Sequence, residues 1–175
     1  MIADMSRAGR VLLMLLAFCG SAHSQNNEFT LMRGAGRFYR GGMSEKSGTG
    51  SLTYSRMVTR TVAIEGGLDW FFLRGDGFSG FHVSAVYHFL SPIAPRQVIP
   101  FASVGIGNTS TDFTEIPMRT VYRVNAGMKY YVWPAVGIRV QLDDRIVHSV
   151  RDAYFAGAAN WAQLPSFSVG VSLRH

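Results

Sequence analysis

The sequence has one cysteine, Cys19, six prolines in 175 residues, and a charged fraction of only 16%. A single thiol closes no intramolecular disulfide, so stability has to come from burial or from a bilayer. Long apolar runs are missing as well: the longest, Val11 to Cys19, is nine residues, about half of what a bilayer-spanning helix needs. That excludes a helical membrane protein. The formal charge is +6, yet Lys and Arg are scattered singly, without the basic run or stripe of a nucleic-acid binder. What is present is a chain 47% apolar and 13% aromatic, with 19 glycines and a mean hydropathy of +0.11. It is too apolar for disorder and long enough for one domain.

The N-terminal segment reads as an address. Arg7 and Arg10 precede the apolar stretch 11–18, and small residues follow in Gly20-Ser21-Ala22-His23-Ser24. These are the parts of a secretory signal peptide over residues 1–24, with cleavage expected before Gln25. The alternatives are a buried N-terminal helix, or lipidation at Cys19, against which the bulky Phe18 stands. The domain proper is then 25–175.

That domain reads as strands. Thr120, Tyr122, Val124, Ala126, Met128, Tyr130 and Val132 alternate with Arg119, Arg123, Asn125, Gly127 and Lys129. A period of two over a dozen residues means a strand with one apolar and one polar face. The pattern returns after Trp133-Pro134, where Val136, Ile138, Val140 and Leu142 oppose Gly137, Arg139, Gln141 and Asp143, and again where Phe167, Val169, Val171 and Leu173 oppose Ser166, Ser168, Gly170 and Arg174. Upstream, Val62 to Phe72 and Phe81 to Phe89 form a hairpin through Arg74-Gly75-Asp76-Gly77, whose glycines supply positive φ. Val98 to Gly107, Leu52 to Val58 and Glu28 to Tyr39 bring the count to eight. In the last of these Arg33 and Arg37 break the pattern set by Phe29 and Leu31, and a bulge is expected there.

An even number of strands with no helix left over implies an all-β, closed antiparallel up-and-down barrel, because closure removes unpaired edges. The odd connections, Arg40 to Ser51, Arg74 to Ser79, Asn108 to Pro117 and Ser149 to Gln163, read as long. The even ones read as mostly tight, with Ser91 to Gln97 the longest. The polar set mixes small residues with charges of both signs, which suits an eight-stranded interior that side chains just fill. Glu65, Asp69, Arg123, Lys129, Arg139, Asp143, Arg145 and Arg174 are expected to form a lumen charge network, structural in role. In the third, fourth, sixth and eighth strands the apolar set runs about ten residues without a charge, the length of a bilayer crossing, and no Arg is expected on it. Trp70, Phe72 and Phe81 at one end and Tyr87, Phe89, Tyr130 and Trp133 at the other match two interfacial aromatic girdles.

On these residues the chain resembles the small eight-stranded outer-membrane barrels of Gram-negative bacteria. This group contains the transmembrane domain of outer-membrane protein A, outer-membrane protein X and the opacity-type surface antigens. The most specific part is Ser168-Val169-Gly170-Val171-Ser172-Leu173-Arg174-His175, which is similar to the C-terminal signal read by the barrel assembly machinery. Gly170 and Leu173 match it, and His175 stands where a terminal Phe is usual. Val124 to Val132 with Val136-Gly137-Ile138-Arg139 also resembles the penultimate hairpin of the opacity-type group. The resemblance implies an outer-membrane location, outer-membrane lipid, lipopolysaccharide and the assembly machinery as partners, no nucleic acid, and no cofactor.

One family within this group consists of lipid A deacylases with a His, Ser and acidic triad on the outer wall. Here His148-Ser149 lies near Asp143, Asp144 and Asp152, but adjacent strand residues point to opposite faces, and the spacing departs from the deacylase pattern. No enzyme is expected. His82 and His88 face the lumen about 20 Å apart along the strand, too far to share a metal. Gly34-Ala35-Gly36 and Gly105-Ile106-Gly107 sit inside strands, where glycine bends a wall rather than cradling phosphate. The reading is a barrel with a filled lumen, acting through its surface loops. The alternatives are a narrow pore for small solutes and a soluble periplasmic ligand-binding barrel.

Overall fold

The computed structural model describes residues 27–40, 42–73, 76–91, 98–111, 119–148 and 161–175. The expected leader and Cys19 lie outside them, as do Ser149 and Asp152. Eight strands follow in order: β1 Asn27–Arg40, β2 Met43–Met57, β3 Val62–Leu73, β4 Asp76–His88, β5 Val98–Thr111, β6 Arg119–Trp133, β7 Val136–His148 and β8 Trp161–Arg174. Each pairs antiparallel with the next, and β8 returns to pair with β1, so the sheet is a closed barrel. The first and last described residues lie at the same rim: His175 N donates to Asn27 O at 2.9 Å. That rim is the terminal end below, and the other is the distal end.

Side-chain alternation sets the two surfaces. On β6, Arg123, Asn125, Lys129 and Tyr131 are buried while Tyr122, Val124, Met128 and Tyr130 are exposed. On β7, Arg139, Gln141, Asp143 and Arg145 are buried while Ile138 and Leu142 face out. On β8, Ser166, Ser168 and Ser172 turn in and Phe167, Val169, Val171 and Leu173 turn out. Polarity is therefore the reverse of that of a water-soluble barrel, with the apolar set on the exterior and the ionised set enclosed.

Three expectations need correction. The segment Arg40 to Ser51 is not a long loop, because β1 and β2 pair without interruption from Asn27↔Arg56 to Arg40↔Met43 and meet in a tight hairpin. Its inward residues are Ser47, Thr49, Ser51, Thr53 and Ser55 and its outward face carries Lys46, Gly48 and Gly50, so this strand has no apolar period to read. No bulge occurs at Arg33 or Arg37. The register irregularity lies instead between β6 and β7 at Tyr131/Trp133. Finally, the outer wall is not free of cations: Arg33, Arg37, Lys46 and Arg56 are exposed on the same face as Leu31 and Leu52. With β1–β2 tight and β3 and β4 separated only by 74–75, the odd connections are less uniformly long than the sequence implies.

Two glycines answer to local geometry. Gly42 closes the β1–β2 hairpin at φ 84°, a region that costs an L-residue roughly 1–2 kcal/mol. Gly50 lies under the Trp70 indole, which occupies the space a Cβ would need. Gly42→Val is expected to lower the unfolding free energy by about 1–2 kcal/mol through the backbone alone, since nothing lies within 4 Å of a Cβ there. Gly48→Ala, whose Cβ meets only a Phe72 ring carbon at 3.9 Å, is the control. Urea unfolding midpoints of the refolded barrel in detergent measure both.

Candidate functional site

In the barrel interior charged side chains from most strands converge, and they are layered along the axis. At the terminal end Lys129 Nζ donates to Glu28 Oε2 at 2.8 Å and Tyr131 Oη donates to the same oxygen at 2.7 Å. Thr30 Oγ1 donates to Glu28 Oε1 at 3.2 Å and meets Ser172 Oγ at 2.9 Å. The Arg174 guanidinium lies 3.6 Å from the Tyr131 ring centroid. Against this layer sits an apolar cluster of Ala63, Val86 and Phe101 with Met57. Arg139 stacks on the Phe101 ring at 4.5 Å and reaches both oxygens of Glu65, one through Nη1 and the other through Nη2 at 3.2 Å, while Nε donates to Gln141.

Toward the distal end the network is denser. Arg123 Nε donates to Asp143 Oδ1 at 2.6 Å, and Arg145 Nε pairs with Asp143 Oδ2 at 2.8 Å. Arg145 Nη2 and Arg123 Nη1 both turn to Asp69 Oδ1, at 3.2 and 3.5 Å. His82 Nδ1 meets Asp69 Oδ2 at 2.6 Å, and Arg123 Nη1 is 2.8 Å from His82 Nε2. A proton on Nδ1 satisfies both contacts, since Arg123 can only donate. Above this layer Val121, Val147 and Ala162 pack with Phe38, Leu164 is buried, and Phe71 stacks on Phe78 at 5.1 Å.

The structure thus brings Glu65, Asp69, Arg123, Lys129, Arg139, Asp143 and Arg145 into the lumen. Arg174 sits half-buried at its terminal rim. The layers run on into one another: Lys129 and Arg139 are cross-strand neighbours over the Phe101 ring, and His82 Nε2 lies 4.0 Å from Glu65 Oε1. Glu28, His82 and Tyr131 complete the groups; the sequence reading placed His82 on the lumen side without assigning it to the network, and did not single out Glu28 or Tyr131. Glu28 is on the same face as Thr30, the phase that the Arg33 and Arg37 positions obscured. Tyr131 was hidden by the aromatic run Tyr130-Tyr131. The aromatics Phe72, Phe81, Tyr87, Phe89, Tyr130 and Trp133 are exposed on the outer wall, with Trp70 half-buried over Gly50. Leu173 is exposed next to β1, and a Cβ at Gly170 would strike Leu31 O and Met32.

Chemically this interior can hold and neutralise charge, and among the described residues it presents no open cleft to a substrate. Asp143 points inward and Asp144 outward, so the two do not form an acid/base pair. The side chain of His148 lies outside the described set.

No protein-family model matches the chain, and no curated protein is significantly similar to it. Solved structures are. The crystal structure of Neisserial surface protein A superposes with a TM-score of 0.67 at 14% identity, covering 89% of this chain and all of that one. The N-terminal β-barrel domain of Pseudomonas aeruginosa OprF gives 0.52 at 16%, covering 85% and 98%. The outer membrane enzyme PagL gives 0.55 at 18%, covering 82% and 97%. The fold is that of a small outer-membrane barrel. Within this fold PagL is an enzyme, so the outer-membrane barrel fold by itself does not decide whether this chain catalyses a reaction.

Removing one partner of a buried ion pair leaves an uncompensated charge, costing about 3–5 kcal/mol. Arg139→Ala is expected to destabilise the barrel by that amount through exposed need at Glu65. Arg139→Met combined with Glu65→Leu is expected to restore most of it. Guanidinium unfolding monitored by tryptophan fluorescence distinguishes the two.

Proposed function

We propose that the chain resides in the outer membrane as a filled barrel that contributes to the envelope and to surface interactions through its distal loops, and that it does not conduct. The observation carrying this reading is the filled interior: buried ion pairs from Glu28–Lys129 through Glu65–Arg139 to Asp69, Asp143, Arg123 and Arg145 occupy the axis, and the apolar groups around Phe101 and around Val121, Val147 and Ala162 pack among them. A water path would have to pass between paired charges and the Phe101 ring, against which Arg139 and Lys129 lie at 4.5 and 5.5 Å. Burial of this kind stabilises a scaffold and transfers specificity to the rims and the wall.

In this arrangement the terminal end faces the periplasm and the distal end the outside. The connections 112–118 and 149–160 would then be the contact-making loops. Gly170 and Leu173 on β8, with His175 following it, would serve as the element recognised by the assembly machinery. The lipid contacts are those of the outward apolar set, where Val124, Val169 and Val171 stand at about half exposure.

Membrane fractions are expected to hold a heat-modifiable species that changes gel mobility on boiling, and purified protein is expected to give no channel steps in planar bilayers. Recovery in the soluble periplasmic fraction defeats the membrane reading, and reproducible single-channel steps defeat the filled-lumen reading. Val124→Arg, which puts a charge on the lipid-facing wall, is expected to reduce folding free energy in vesicles by about 2–4 kcal/mol.

A further inference from the structure

In the distal half of the outer wall, ionised residues of opposite sign flank β8. On its β1 side Arg33 and Arg37 face outward and are exposed, and on its β7 side Asp144 faces outward and is half-buried. Gly36 pairs with Ser166 and Tyr39 with Gln163, so by the same register Arg37 stands beside Pro165. Asp144 pairs with Pro165 from the other side. Lys46, opposite Arg37 on β2, lies a further strand away. Among the described residues no carboxylate pairs with Arg33 or Arg37, and no cation pairs with Asp144. Arg37 Nη1 donates to Ser44 Oγ at 3.3 Å. Asp144 Oδ2 accepts from Gln163 Nε2 at 2.5 Å, and its Oδ1 has no hydrogen-bond partner in the chain. Charges of both signs are thus left without a counter-charge beside the exposed Leu142, Phe167 and Val169, on a surface where an ionised group is costly unless paired.

The heights of these residues along the barrel make the two sides complementary. The outward row that starts at Lys46 on β2 passes Arg37 and Asp144 and, after one circuit, returns to β2 at Arg56. It therefore descends toward the terminal end on its way from β1 to β7. With strands about 4.8 Å apart and tilted by about 40°, the row falls by roughly 6 Å between Arg37 and Asp144. On β1 itself, Arg33 lies roughly 10 Å lower than Arg37 at the same tilt. Asp144 is therefore level with the gap between the two arginines.

We propose that two copies of this chain associate in the membrane through β8, about a two-fold axis along the membrane normal. That rotation sets the β7 side of one copy against the β1 side of the other. Each Asp144 then enters the gap between Arg33 and Arg37 of the second copy, with Pro165 and Phe167 at the axis. A lone anion bound here would leave Asp144 unpaired, and a lone cation would leave the arginines so. The occupant has to carry both signs on either side of an apolar centre, and this chain does so at matching heights. The inference rests on the outer-membrane reading above, which orients both copies with the same end outward.

The test uses the protein purified from membrane fractions and reconstituted into phosphatidylcholine vesicles. The single cysteine, Cys19, lies in the expected leader, so on a C19S background Phe167→Cys and Val83→Cys each carry one thiol. Val83 is on β4, across the barrel from β8. Oxidation is expected to give a disulfide-linked dimer from F167C and none from V83C. Sedimentation equilibrium in detergent is expected to show a monomer–dimer equilibrium. D144R and R33D/R37D each weaken it at least tenfold, the triple charge swap R33D/R37D/D144R restores it, and R56A leaves it unchanged. Equal cross-linking at both thiols, a monomer at every concentration, or undiminished association of D144R overturns the proposal. So does a monomer whose native mass spectrum retains one zwitterionic lipid that D144R loses, which would give the strip to a lipid. Should D144R not fold, as judged by loss of heat-modifiability, D144N is read against the same outcomes. Fractionation reads location independently, so a monomer found in the outer membrane refutes this inference alone.

Discussion

Enclosure of ionised side chains in a cylinder too narrow for bulk water is the constraint on which the rest depends. An eight-stranded barrel has room for side chains and little else. Each charge in it must find its counter-charge within the same layer, because an isolated one would cost several kcal/mol. Glu65 meets this through two contacts from Arg139, Asp143 through the Nε atoms of Arg123 and Arg145, and Glu28 through Lys129 and the Tyr131 hydroxyl. Asp143 is paired from its own strand and from the adjacent β6, whereas Glu65–Arg139, Glu28–Lys129 and the contacts of Arg123 and Arg145 with Asp69 join strands on different sides of the barrel and tie the cross-section together as well as neutralising it. The same pairing permits the outer wall to be apolar, because polar groups that a soluble protein would display to water are accounted for inside.

The layering has a consequence for where activity can reside. Phe101 is stacked beneath Arg139 and lies 5.5 Å from Lys129 Nζ, so the apolar layer nearest the chain ends is also a platform for cations. The distal apolar layer closes the other side. The described part of the outer wall departs from uniformity where β1 and β2 meet, at Arg33, Arg37 and Lys46.

The strands that were legible in the sequence are those whose two faces differ most. β6, β7 and β8 alternate Val, Ile, Leu or aromatic residues with Arg, Asn, Asp or Ser, and the barrel places them accordingly. β2 was largely invisible because its inward face is Ser and Thr and its outward face is Lys46, Gly48 and Gly50, so neither face carries an apolar period. β1 misled for a related reason. Arg33 and Arg37 share the phase of Leu31, and a rule that forbids cations on lipid-facing positions turned this into an expected bulge. The lumen charges on the regular strands could be read from phase alone, whereas Glu28 needed the facing of β1. The partnerships themselves could not be read, because which Arg meets which carboxylate depends on the strand register around the whole cylinder.

The ladder that joins β8 to β1 also governs when the molecule can exist as a folded object. Glu28 pairs with Arg174 and Phe29 with Leu173, so the first and last strands of the barrel are nearest neighbours. No set of strands that lacks β1 or β8 possesses a closed wall. Such a set would present two raw sheet edges and an unbalanced set of lumen charges. Folding from β1 onward therefore gains little until β8 is in place. Acquisition of the native state becomes a single late event with high contact order.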